Sequence, residues 1–158
     1  MGASAVAAAL FTVGFGLRRL APDPVSAGAA ALGFGLGIGI AAILSASATY
    51  GSYGIAVGAG AGAFLLPQMI AGKKSHAGAT VVLPGMLLPA LVGAGAMILA
   101  QLPWYALLVL ALAPAAARLP VPQKSPVWLQ ASLQALYAFI IAAAGCALAW
   151  PAAGSAPT

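Results

Sequence analysis

The sequence predicts an all-α protein, a polytopic bundle of about six transmembrane helices that pack through glycine. Hydrophobic residues make up 63% of the 158 positions and charged residues only 4%, whereas a soluble globular domain carries about 25% charged residues. So few charges cannot cover the surface of a soluble protein of this size. We therefore expect residues 1–158 to form one integral membrane domain, solvated mainly by lipid.

Six apolar runs are candidates for spans, since a helix crosses a bilayer with about 20 apolar residues and tolerates about 17 to 25. The first and fifth runs are short, and each ends at arginine. The third run is followed by Lys73 and Lys74. The predicted spans cover approximately residues 3–17, 25–48, 53–71, 77–100, 103–117 and 127–150.

The basic residues support this number of spans. With six spans, all of them fall in the first, third and fifth loops, and Lys and Arg collect in cytoplasmic loops. This pattern predicts that both termini lie on the non-cytoplasmic side. The alanine-rich composition favours a bacterial cytoplasmic membrane. We expect the basic residues to set topology and to contact lipid headgroups; they are Arg18, Arg19, Lys73, Lys74, Arg118 and Lys124.

Glycines recur at every second position in the second span and continue in the third. In a helix they form pairs four residues apart, the small-xxx-small pattern that brings membrane helices into close contact. Because only a short turn joins the two spans, we expect them to form a tightly packed antiparallel pair. The glycines assigned to helix packing are Gly33, Gly35, Gly37, Gly39, Gly54, Gly58 and Gly62.

Few residues are available for catalysis or metal binding. His76 is the only histidine and Asp23 the only acidic residue, which excludes a multi-histidine metal site and a pair of catalytic carboxylates. The GxGxGxG helix resembles the first helix of rotary ATPase proteolipid subunits, but that family needs a carboxylate in the partner helix, so we reject the match. We expect no enzyme activity, cofactor or metal. We also expect no nucleic-acid partner, because the basic residues form no continuous stripe.

Neutral polar side chains are the remaining candidates for a site. Gln130, Gln134 and Tyr137 share one face of the sixth span, Gln68 lies near the cytoplasmic end of the third, and Thr80 begins the fourth. Two interpretations stay open. The side chains form interhelical hydrogen bonds, each worth about 0.6 kcal/mol, or they line a small polar cavity open to the cytoplasm.

The fourth span carries Pro84, Gly85 and Pro89 near its middle. Proline removes a backbone donor and clashes with the preceding turn, so we predict a kinked helix. Broken helices mark binding sites in many transporters, and they also occur in ordinary bundles.

Two functions follow as hypotheses. The first is an accessory or assembly subunit of a membrane complex, whose partners are membrane lipids and either other membrane subunits or a second copy of the chain. The alternative is a small permease or channel for a neutral or lipid-like solute, with a cytoplasm-facing polar cavity. An intramembrane enzyme has the least support.

Overall fold

The structure is a computed structural model, and it describes residues 7, 11, 14, 20, 22–45, 47–73, 78–99, 102–122 and 125–153. Every regular element in these ranges is a helix, and four of the helices are long and apolar enough to cross a membrane. The first predicted span, residues 3–17, lies outside the described residues except for three isolated positions. The helices are α1 Pro24–Leu44, α2 Ala48–Ala71, α3 Gly78–Leu99, α4 Trp104–Leu110, α5 Ala113–Ala116 and α6 Val127–Ala153.

Polar side chains cap the first two helices. The Asp23 carboxylate accepts a hydrogen bond from the backbone N–H of Val25 at 3.3 Å, and the Ser47 hydroxyl accepts one from the N–H of Tyr50 at 3.5 Å. Both residues are preferred N-caps because their oxygens satisfy amides that the helix itself leaves without a partner. The Ser47 cap starts α2 at Ala48, earlier than the predicted residue 53, so the connection between α1 and α2 is very short.

A glycine ends α2. Gly72 has a φ of 63°, in the left-handed region where a side chain would be strained and where helices commonly terminate. This turn brings Lys73 to the surface at the end of the helix.

The predicted fifth span consists of two short helices. Together α4 and α5 cover Trp104–Ala116, fewer residues than the roughly 20 that a straight membrane-spanning helix needs. Pro114 accounts for the interruption between them, because it has no N–H to donate to the carbonyl of Leu110 and its ring clashes with that turn. The backbone tightens there, with the N–H of Leu112 bonded to the carbonyl of Val109 at 3.0 Å.

Helix α1 is the centre of the bundle. In its most apolar window 72% of the residues are buried, against 28% to 39% in the other three long helices. Phe34 and Ile38 are almost completely buried, and α1 contacts each of the other five helices. The core is therefore built around one helix that has little exposed surface.

Helix α2 packs antiparallel against α1, with the two main chains in direct contact. A Cβ atom built on Gly35 would lie 2.8 Å from the amide nitrogen of Gly58, and one built on Gly54 would lie 2.6 Å from the Cα of Gly39. Real Cβ atoms essentially never approach other atoms within 3.0 Å. Any side chain at these positions would therefore push the two helices apart.

The other two glycines of α1 face α6 instead of α2. A Cβ atom on Gly33 would lie 2.5 Å from the Cβ of Ala138, and one on Gly37 would lie 2.8 Å from the Cβ of Ala142. The residue numbers rise together along the two helices, so α6 runs parallel to α1. Gly62 is different, since a Cβ there would meet Leu32 at an ordinary 3.4 Å.

Helix α3 also runs parallel to α1. A Cβ on Gly85 would lie 2.9 Å from the Cβ of Ala31, and one on Gly93 would lie 3.0 Å from the Cδ1 of Ile38. Helices α1, α3 and α6 consequently begin at the same end of the bundle, and α2 ends there. We call this the Asp23 end, and the opposite one, where α2 begins, the Ser47 end.

The chain between α3 and α6 passes along the bundle from one end to the other. It leaves α3 at the Ser47 end and enters α6 at the Asp23 end, because these two helices are parallel. Helices α4 and α5 occupy this return path, with the side chain of Leu107 against Gly93 and that of Leu110 against Gly37 and Gly145. This short segment thus lies on the path that returns the chain from the Ser47 end to the Asp23 end.

We predict that Gly54→Ala lowers the free energy of unfolding by roughly 1 to 3 kcal/mol, the usual cost of overpacking. The added methyl group meets backbone atoms of α1, which cannot move aside. The measurement is an unfolding titration with sodium dodecyl sulfate from mild-detergent micelles, followed by circular dichroism.

The matched control is Gly60→Ala on the same helix, since a Cβ there meets nothing within 4 Å. This variant should be unchanged or more stable by up to about 1 kcal/mol, because alanine is the better helix former. Equal destabilisation by the two substitutions would contradict the close approach of α1 and α2.

Candidate functional site

Two glutamines lie on the inward face of α6. Gln130 is 6% exposed and Gln134 is 7% exposed, and Tyr137, on the same side of the helix, is half-buried. Gln134 is one helical turn before Ala138, the residue that touches Gly33 of α1. The spacing of these three residues therefore does place them toward the core, at the half of α6 nearest the Asp23 end.

The amide groups of two glutamines bond to nearby backbone. The Nε2 of Gln68, on α2, donates to the carbonyl of Phe64 at 3.2 Å, and that of Gln130 donates to the carbonyl of Ser125 at 2.7 Å. Each bond stays within a few residues of the glutamine that makes it. These two local bonds do not distinguish between the two predicted alternatives, interhelical hydrogen bonding and a polar cavity.

Gln134 is the exception among the glutamines. Its Oε1 atom is buried and has no hydrogen-bond partner among the described residues. A buried polar group without a partner costs about 1 to 3 kcal/mol, so most such groups in proteins are satisfied. This oxygen is therefore an acceptor in the described core whose hydrogen-bonding capacity is unused.

A cleft of about 300 Å³ opens between α1, α2 and α3, and we call it the α3 cleft. It brings together Thr80, Pro84 and Gly85, which had been predicted as parts of two separate features, and it does not include the glutamines. Pro89 is buried elsewhere in the core. The residues of α1 and α2 that line the cleft are Ala31, Val57, Gly60, Ala61 and Phe64.

A second cleft, of about 330 Å³, lies between α1, α2 and α6. It is lined by apolar side chains and by one hydroxyl, that of Ser132, whose Oγ donates to the carbonyl of Trp128 at 2.9 Å. The other lining residues are Leu32, Gly62, Leu65, Leu66, Met69, Ala131 and Ala135. Neither of the two clefts contains a glutamine or a charged side chain.

Groups that could carry acid–base or metal chemistry are scattered in the described part of the chain, where no three His, Cys, Asp or Glu residues come together. The Cys146 thiol, half-buried in α6, lies 3.5 Å from the carbonyl of Gly37 as a weak donor. Lys73 and Arg118 are exposed. The remaining basic residues and His76 lie outside the described residues.

Comparisons with known proteins identify no related site. No protein-family model matches the chain, and neither a curated protein nor a solved structure is significantly similar to it. What the site can do must therefore be argued from its own geometry.

We predict that Gln134→Leu leaves the free energy of unfolding unchanged or raises it by about 1 to 3 kcal/mol, because leucine has a similar size and removes the unsatisfied oxygen. Gln130→Leu, by contrast, should lower it by roughly 0.5 to 1.5 kcal/mol through loss of the bond to Ser125.

Both variants are measured in the same detergent titration as the glycine variants. A loss of stability in Gln134→Leu that matches or exceeds the loss in Gln130→Leu would mean that Oε1 of Gln134 has a partner in the folded protein.

Proposed function

We propose that this chain is a non-catalytic membrane subunit that crosses the bacterial cytoplasmic membrane six times, with both termini on the non-cytoplasmic side. The apolar character of four long helices supports a membrane protein. The count of six rests on the parallel course of α3 and α6, because parallel neighbours need a crossing between them. We assign that crossing to the segment with α4 and α5, and we assign the first crossing to residues 3–17 from their hydropathy in the sequence.

Two exposed tryptophans support a placement of α6 across the bilayer. Trp128 and Trp150 lie near the two ends of α6 and are 53% and 69% exposed. Their separation of 22 positions corresponds to about 33 Å along a helix, close to the roughly 30 Å thickness of the hydrocarbon core. Tryptophan prefers the interface between headgroups and acyl chains. We therefore place one interface near each of these residues.

The exposed basic side chains support the proposed orientation of the bundle, with the Asp23 end in the cytoplasm. Lys73 follows the last turn of α2 at the Asp23 end, and Arg118 follows α5 on the path toward the same end. Cytoplasmic loops are the ones enriched in Lys and Arg, so we assign the Asp23 end to the cytoplasm. The same reasoning extends to Arg18, Arg19, Lys74 and Lys124 by their positions in the sequence.

An accessory or assembly role fits the interior better than transport does. The contact of α1 with α2 through bare main chain leaves no room for a passage between them, and the two described clefts are lined mainly by apolar groups. Two of the three buried glutamines are bonded to local backbone. A bundle so lacking in polar groups acts through its outer surface, on lipids and on neighbouring membrane proteins.

One observation favours the alternative, a small permease for a neutral or lipid-like solute. The unsatisfied Oε1 of Gln134 lies in the half of the bundle assigned to the cytoplasm, where a solute with a hydrogen-bond donor would find an acceptor. This alternative needs a path to that oxygen, and neither of the two described clefts reaches it.

We predict the side of the membrane that three single cysteines face, each introduced in a Cys146→Ala background. Lys73→Cys and Arg118→Cys should react with a membrane-impermeant maleimide only after the cells are opened. Thr49→Cys, at the exposed start of α2, should react on intact cells. Reaction of Arg118→Cys from outside would mean that the segment with α4 and α5 does not cross, and the count of six would be wrong.

For the accessory role, we predict that the tagged full-length chain, extracted from its native membrane in polymer-bounded lipid discs, carries a second polypeptide in fixed stoichiometry. The abundance of that polypeptide should fall when the gene for this chain is deleted, as expected when a subunit supports the assembly of another. Protein mass spectrometry measures the stoichiometry of the complex and the abundance of the second polypeptide.

The same discs separate the two functions. A chain recovered alone, which moves a neutral solute across proteoliposomes and loses that flux in Gln134→Leu, would replace the accessory role by the permease.

A further inference from the structure

The α3 cleft occupies one half of the proposed bilayer. On α3 it extends from Thr80, in the first turn, to Leu88, at the middle of the helix. Eight residues of helix correspond to about 12 Å, roughly the depth of one leaflet of a 30 Å hydrocarbon core. The cleft therefore runs from the headgroup level at the Asp23 end down to the bilayer midplane.

The cleft is open on its lipid side. Pro84, Leu88 and Gly60 line it and are exposed, and a Cβ on Gly60 would meet nothing within 4 Å. Its mainly apolar lining suits a hydrocarbon chain that enters sideways from the surrounding leaflet.

The backbone of α3 contributes a polar group to the wall. Proline has no N–H, so Pro84 donates nothing to the carbonyl of Thr80. Thr80 and Pro84 both line the α3 cleft and are exposed. The Thr80 hydroxyl, which both donates and accepts hydrogen bonds, lies at the headgroup end.

We propose that the α3 cleft binds a long-chain amphiphile whose head is a neutral hydroxyl, drawn from the leaflet at the Asp23 end. The hydroxyl donates its one proton to the carbonyl of Thr80, which Pro84 leaves without its usual helical donor, and the hydrocarbon chain extends past Leu88 to the midplane. A carboxylate or phosphate head fits this wall poorly, because it offers only acceptors to carbonyl oxygens. The inference rests on the proposed placement in the bilayer, which the maleimide labelling tests separately.

The experiment uses two photoactivatable probes in phosphatidylcholine vesicles that contain the purified full-length protein. One is a sixteen-carbon alcohol with a mid-chain diazirine, and the other is its methyl ether, which has the same chain but no donor. After irradiation, peptide mass spectrometry locates the attached probe. One good hydrogen bond predicts roughly threefold to tenfold more capture of the alcohol than of the ether, on peptides of α2 and α3.

Two variants test the site. Gly60→Leu fills the cleft and should abolish capture of both probes there, whereas Ala59→Leu, which adds the same side chain on the exposed surface next to it, should not. Pro84→Ala restores an N–H for the Thr80 carbonyl. It should therefore reduce capture of the alcohol toward that of the ether and leave the ether unchanged.

Equal capture of alcohol and ether by the unsubstituted protein would overturn the recognition of a hydroxyl. Capture that persists in Gly60→Leu would overturn the site itself. Gly60→Leu keeps the test informative if Pro84→Ala fails to fold, since the space at Gly60 accommodates a side chain.

Discussion

The fold depends on the direct contact between the main chains of α1 and α2. In a bilayer, lipid chains are as apolar as the helix surfaces, so burial of hydrophobic side chains gives two helices little reason to associate. Dispersion contacts and weak interactions between backbones must supply the attraction, and they fall off steeply with distance. Gly35 and Gly39 on one helix and Gly54 and Gly58 on the other provide that approach. The glycine content, which would weaken a soluble helix, serves association here.

The same constraint explains why α1 is central. A helix with glycines on one face can have one close neighbour, but α1 has them on two faces, toward α2 and toward α6. Small residues on α6, such as Ala138 and Ala142, complete the second contact. Besides the large side chains buried in the core, such as Phe34 and Ile38, many large apolar side chains are exposed on the surfaces of α2, α3 and α6. The bundle is close-packed at its centre and apolar at its surface.

Sequence patterns could predict the helical class, because hydropathy and the lack of charge depend on composition alone. They could also predict which glycines share a face, since Gly35 and Gly39 are four residues apart. They could not predict that Gly33 and Gly37 pack against α6, because which helices become neighbours depends on the packing of all the helices together. The predicted start of α2 was wrong for a different reason. Several serine residues near this turn could cap the helix, and only the folded backbone shows that Ser47 is the N-cap.

The candidate site was predictable to a similar degree. The inward direction of Gln130 and Gln134 follows from helical spacing, whereas the partners of their amides do not. Thr80 and Gly85 appeared unrelated in the sequence. They line one cleft with residues of α1 and α2, where Gly85 allows α3 to approach Ala31 of α1 closely. That cleft is a property of three helices together, and no single segment indicates it.

Charged side chains contribute no polarity to the described core, whose buried polar side chains are those of Ser26 and three glutamines. With one acidic residue and six basic ones near predicted helix ends, few side chains can offer a ligand a hydrogen bond within the membrane. Proline changes this, since each proline inside a helix removes the donor of one carbonyl four residues earlier. In lipid such an acceptor is costly unless a neighbour, a water or a ligand satisfies it. Pro84 of α3 leaves such an acceptor at Thr80, beside the lipid-facing α3 cleft, and in the proposed complex this carbonyl binds a hydroxyl without the burial of a charge.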